Sequence, residues 1–418
     1  MAKYILCGKY NYLYKYIWYY LLIQIVYDYF FGTHFPEGIK IKYFNDFPKN
    51  ILVQEIFNYL GTSLFSFILW KYQRKNNKII VPIKQQESSN LSLNEPNLIL
   101  NKDTHIQEEI SGSTFLYILS ILILSNQLKQ IFNVFGLKGL DFWMFELIFI
   151  CIITSYMFKT QIYRHKIVSI CIILIFSTIM KFISIYMTLS KEQEEKIYIE
   201  YKWVIIIGLL SFHIIILMRS YAYCKLKWLF DIKYISPIKI LIIFGIFGSI
   251  ICLIGSIIST KIKCSNKNPD VKYFCKVEKD DNKYYDNFII FFQNIWKKNI
   301  VYILFEFFEI FLSFLLNLFI MLIIHNLSPE YLISSKYIFY FITELISYLW
   351  NRKYNQIYEL LAEFFAILSS LLYLEFIELN FCNINKDLKK NISRRSIEES
   401  SFIVDNSNDA EPTNEIEE

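Results

Sequence analysis

The chain has 418 residues, 55% of them hydrophobic and 18% aromatic. Its mean hydropathy of +0.33 excludes an ordinary soluble protein of this length and makes the bilayer its expected solvent. The formal net charge of +5 is spread through polar breaks and not gathered in a compact basic domain, which excludes nucleic acid as a partner.

Ten apolar stretches predict helices over 13–31, 53–72, 113–135, 140–158, 163–189, 202–223, 237–260, 300–324, 329–350 and 355–381. A helix rising about 1.5 Å per residue needs about 20 apolar residues to cross a hydrocarbon core of about 30 Å, and a backbone in lipid must bond to itself. The expected fold is all-α, a polytopic membrane protein with ten transmembrane helices. Residues 1–12 form a short N-terminal cytosolic segment. The first stretch is studded with Tyr and lacks a small-residue cleavage site, so it reads as a retained helix and not a removed signal peptide.

Residues 13–190 make a first five-helix half, interrupted by a polar loop at 73–112 whose Asn, Ser, Glu and Gln content predicts disorder. Residues 191–382 make a second half with a polar loop at 261–299, and 383–418 is a charged tail, basic first and acidic last, expected to be disordered. Five helices per half bring the two halves into the membrane from opposite sides, the parity of a 5+5 inverted repeat. The bias of Lys71, Arg74, Lys75, Lys159, Arg164, Lys166, Lys225 and Lys227 places both termini in the cytosol. The lysines of loop 261–299 fall on the other side and weaken that bias. That loop also holds Cys264 and Cys275, which are either a disulfide in an oxidising lumen or two free thiols. Cys151, Cys171, Cys224 and Cys252 fall in or at the ends of spans and are read as small core residues.

Ionisable groups inside a span are costly and usually face a cavity or a partner. Glu146 in the fourth helix and Lys181 in the fifth are such groups, although a long tilted helix would let Lys181 snorkel. Arg219, about a turn before the expected end of the sixth helix, is either a snorkelling arginine or a fork that grips an anion at a cavity mouth. Glu306, Glu309 and Asn317 share one face of the eighth helix. Glu306 and Glu309, if buried together, would suit proton coupling. Lys336, inside the ninth helix, could meet a phosphate or carboxylate, or pair with an acid of the eighth. Glu359 and Glu363 of the tenth helix are expected to pair with Arg352 and Lys353 of the hairpin before it. There is no Gly-x-Gly-x-x-Gly, no Walker loop, no Gly-x-Ser-x-Gly and no His/Cys cluster with metal spacing, so neither an enzyme nor a cofactor is expected.

Two runs carry a family resemblance. Ser220-Tyr-Ala-Tyr-Cys-Lys-Leu-Lys-Trp-Leu-Phe-Asp231, Lys233-Tyr-Ile-Ser-Pro237 and Gly245-Ile-Phe-Gly248 form the first; Asn326-Leu-Ser-Pro-Glu330 through Tyr354 to Leu379 forms the second. Together they resemble the sixth-to-seventh and ninth-to-tenth helices of the drug/metabolite transporter superfamily, within it the nucleotide-sugar-transporter-like solute carriers. The chloroquine-resistance-type transporters of the same superfamily are a second possible kin group. This chain departs from the pattern in its scarce Gly and Ala, its acidic tenth helix and its large loops.

The resemblance implies a secondary transporter of a small polar or anionic solute, working by alternating access. The competing reading is a non-transporting membrane scaffold or receptor of the same fold. Expected partners are the lipid bilayer and a small-molecule solute, with a homodimer as a possible assembly. An endomembrane (Golgi, ER or vacuole/lysosome) is the expected location ahead of the plasma membrane.

Overall fold

Residues 11–31, 51–76, 112–134, 145–159, 162–180, 182–183, 202–232, 235–259, 300–351 and 354–377 are described by a computed structural model. They form ten helices and, among the described residues, no strand. The helices are α1 (Asn11–Phe31), α2 (Ile51–Asn76), α3 (Gly112–Val134), α4 (Phe145–Phe158) and α5 (Arg164–Ile172, continued by a π-helical turn over Ile173–Ser177). The second set is α6 (Lys202–Ile232), α7 (Pro237–Ser259), α8 (Ile300–Asn326), α9 (Pro329–Asn351) and α10 (Tyr354–Tyr373).

Three of these helices are long and apolar enough to cross a membrane by length and composition: Leu52–Lys75 in α2, Pro237–Ile258 in α7 and Ile303–Asn326 in α8. The described part of α4 has 14 residues, and α9 carries Glu330, Lys336 and Glu344 within its length. The outward faces are nevertheless apolar. Trp18, Leu22, Leu64, Ile68, Leu210, Ile214, Ile254, Ile258, Leu304 and Phe307 are all exposed, an outer surface that water would penalise and lipid tails would match.

Two helix ends depart from the sequence expectation for reasons that their contacts explain. α6 continues nine residues past 223, to Ile232, because its late charges are satisfied by the helix and its neighbours. Lys227 donates to the carbonyl of His325 at 3.1 Å and pairs with Asp231 at 3.2 Å, one turn on. Lys225 lies over the rings of Tyr221 and Trp228. At 31 residues the helix is about 46 Å long, more than the about 30 Å of hydrocarbon it would cross. α10 stops at Tyr373, short of 381, in a Schellman turn. Glu375 takes a left-handed φ of 62°, with Phe376 N–H bonded to Leu371 O at 2.9 Å and Glu375 N–H to Leu372 O at 3.1 Å.

Packing is tightest where α7 meets α2. A Cβ on Gly245 would sit 2.5 Å from the Tyr59 carbonyl oxygen and 2.6 Å from the Ser63 nitrogen, so glycine is what lets the two backbones approach. α5 and α10 are clasped by two hydroxyl-to-carbonyl bonds, Ser177 Oγ to Ala362 O at 2.8 Å and Ser369 Oγ to Ser169 O at 2.7 Å. The first rises from the π-turn. Cys151, Cys224 and Cys252 are buried thiols, as small core residues should be, but Cys171 is exposed, correcting its assignment to the core.

Candidate functional site

α4, α6 and α9 meet around one carboxylate. Glu146 stands in the first turn of α4 with 1% of its surface exposed. Arg219 of α6 grips it side-on, Nε to Oε1 at 2.7 Å and Nη2 to Oε2 at 2.9 Å. This is the planar two-bond fork that only a guanidinium supplies. Lys336 of α9 approaches the same carboxylate, Nζ to Oε1 at 3.3 Å and to Oε2 at 3.4 Å. Seven residues inside its helix, Lys336 lies about 10 Å from the helix start.

Two hydroxyls stand beside the cluster. Tyr223, one turn beyond Arg219 on α6, accepts from Lys336 Nζ at 3.5 Å and turns its ring face to the same ammonium at 4.9 Å. Ser220 Oγ donates to the Glu146 carbonyl at 3.5 Å. Tyr20 of α1 and Tyr337 of α9 are buried within electrostatic reach of the carboxylate. Removing such charges from water costs several kcal/mol per ion, recovered only when geometry and hydrogen bonds are good on all sides.

The structure therefore brings together three of the residues singled out in sequence, Glu146, Arg219 and Lys336, and corrects the place of one. Arg219 lies thirteen residues before the end of α6, not a turn from it, and is 7% exposed, so it does not snorkel to an interface. Lys336 pairs with the acid of α4 and not with an acid of α8.

The α8 stripe forms a separate polar seam toward α1 and α2. Glu309 is buried and accepts from the Tyr27 hydroxyl at 3.5 Å. Glu306 accepts from Gln54 at 3.4 Å, and Asn317 donates to Thr62 at 3.3 Å. Glu306, Glu309 and Asn317 thus share a face, as their spacing predicts, but these bonds lead away from the Glu146 cluster. Glu363 is buried; its expected partners Arg352 and Lys353 lie outside the described residues. So do Lys181, Cys264 and Cys275.

The sequence reading passed over Tyr223 and the pair Lys227–Asp231. The signal was present: Arg219, Tyr223, Lys227 and Asp231 recur every four residues, one continuous stripe on a helix. Ending the helix at 223 cut that stripe. A buried His165 paired with Glu375 at 3.3 Å, joining α5 to the turn after α10, was also not foreseen. Among the described residues no group of three or more His, Cys, Asp or Glu is placed to hold a metal ion.

Comparison with known proteins adds no relative: no protein-family profile and no curated protein matches this chain. The likeness to drug/metabolite transporters rests on the residue runs and helix layout alone.

Proposed function

We propose that the chain is a secondary transporter of a small anionic solute, working by alternating access between two five-helix halves. The observation that carries this reading is the buried Arg219–Glu146–Lys336 cluster, because it joins an acid of the first half to two cations of the second. An inter-half ionic contact at membrane depth is what a substrate site on a rocking interface requires. A guanidinium fork beside an ammonium is also the usual equipment for holding a carboxylate or phosphate.

The pattern of helix packing supports the two-half arrangement. Adding five to each helix number, counted round ten, exchanges some packing partners, α3 on α6 becoming α8 on α1, α4 on α6 becoming α9 on α1, and α3 on α7 becoming α8 on α2, whereas α9 on α10, α7 on α8, α8 on α9 and α6 on α8 have no counterpart of similar extent among the described residues. The contacts of α2 with α7, α4 with α9 and α5 with α10 map onto themselves. In a 5+5 inverted repeat such pairs would straddle the two-fold axis. The Glu146–Lys336 contact lies on one of them, between α4 and α9, where motion of one half against the other would be felt directly. The layout is also the one that the drug/metabolite-transporter resemblance implies, with both termini on the cytosolic side of an endomembrane.

The test is flux. Purified full-length protein in proteoliposomes should show saturable counterflow of at least one among carboxylates, phosphate, nucleotides and nucleotide sugars. Lys336→Met should weaken its apparent affinity about tenfold or more, the equivalent of about 1.4 kcal/mol. Absence of both saturable flux and ligand-induced thermal stabilisation across every class would favour the scaffold reading.

A further inference from the structure

The Arg219 fork is already filled, and by a carboxylate of the protein itself. A solute carboxylate arriving at the same fork would stand beside ionised Glu146. Two unit charges about 4 Å apart repel by about 4 kcal/mol at an effective dielectric constant of about 20, so the two cannot share the site comfortably. Either Glu146 swings away or it loses its charge. Glu146 is almost fully enclosed, and the next residue, Leu147, and Ile150, a turn further on, have no exposed surface. Its main-chain carbonyl is held by Ser220. Among the described residues this enclosure favours neutralisation over a swing to water.

We infer that, granted the transport reading above, Glu146 is an internal stand-in for the substrate's anionic group and takes up one proton for each anion that occupies the Arg219–Lys336 site. The balance is simple. A proton from the open aqueous side converts the Glu146 carboxylate to the neutral acid, and Arg219 and Lys336 transfer their bonds from Glu146 to the anion. On the other side the anion leaves, the acid gives up its proton, and the original ion cluster re-forms. For a monoanion one negative and one positive charge cross together, so the cycle moves no net charge. The planar two-bond grip on Glu146 favours a carboxylate; a phosphate presents the same pair of oxygens to the same fork.

The groups that face Glu146 permit this. From α6 they are Arg219, Tyr223 and, against the adjoining Phe145 ring, His213. From α9 they are Lys336 and Tyr337, and from α1 Tyr20. Farther along α4, Cys151 faces Tyr373 and Glu330, away from the cluster. The neighbours bonded to the Glu146 carboxylate are thus two cations, with the Tyr223 hydroxyl beside Lys336.

The experiment loads full-length protein into vesicles and offers lactate, malate or inorganic phosphate outside, with protein-free vesicles as the control. An inward proton gradient should drive accumulation of at least one of the three, for lactate about tenfold per pH unit, since one unit is worth about 1.36 kcal/mol. Lactate accumulation should ignore a valinomycin-set potential. Glu146→Gln should lose the response to the pH gradient, and its remaining anion flux should follow the potential. Glu146→Asp, which keeps the carboxylate, should stay proton-coupled and guards against a folding defect in the Gln variant. Carboxylate or phosphate preference separates the two possible anion classes. Wild-type anion flux indifferent to the pH gradient, or Glu146→Gln still coupled, overturns the inference and leaves the transport reading standing. Wild-type protein that moves none of the broader solute panel removes both.

Discussion

At the scale of single residues, the contacts at Glu146 are unequal, and stability should register the difference. Arg219 makes two short, aligned bonds at 2.7 and 2.9 Å, whereas Lys336 stands at 3.3 and 3.4 Å and shares its charge with the Tyr223 ring. Arg219→Met removes the main partner of a buried carboxylate and should cost about 3–5 kcal/mol. Lys336→Met removes longer charged hydrogen bonds and should cost less, about 1.5–3 kcal/mol. Thermal unfolding in detergent ranks the two variants, and the opposite order would mean that Lys336, not Arg219, is the principal counter-ion. Depth in a span marked Glu146 and Lys336 as unusual from the letters alone. That they choose each other over the acids of α8 was not legible, because partner choice depends on which helices touch.

At the scale of elements, the closest approach is between α2 and α7. Backbone atoms of Tyr59 and Ser63 occupy the space that a Gly245 side chain would need, and a backbone cannot rotate out of the way. Gly245→Ala should therefore cost about 1–3 kcal/mol through overpacking. Gly255→Ala, whose Cβ would meet the Leu52 methyls at an ordinary 3.5 and 4.0 Å, should change stability by less than about 0.5 kcal/mol. Equal effects at the two positions would show that the α2–α7 interface is looser than described. The end of α6 carries a related lesson. Hydropathy falls after Tyr223, so the apolar stretch ends there, but Lys227 and Asp231 satisfy each other across a turn and the helix continues.

At the scale of the whole molecule, the apolar outer faces of α1, α2, α6, α7 and α8 require a lipid or detergent shell. The chain should stay in the membrane pellet after alkaline carbonate extraction, and its release to the supernatant would refute integral insertion. The Lys and Arg bias makes a second statement, that the side bearing Asn90 is cytosolic. No glycan should be found on Asn90; a glycosylated band sensitive to an endoglycosidase would invert the orientation.

Composition and the spacing of apolar residues were enough to determine the ten helices of the described residues, most of their boundaries, and that Glu146 and Lys336 lie inside them. They could do so because hydrophobic length and helical period are local properties, written in consecutive residues. Only the tertiary structure decided that Glu146, Arg219 and Lys336 form one cluster while Glu306, Glu309 and Asn317 form another. The residues of the first cluster are separated by 73 and 190 positions from their common partner. No local pattern specifies which helix faces meet across such distances; helix packing does, and with it the choice of counter-ion in a medium too apolar to leave a charge alone.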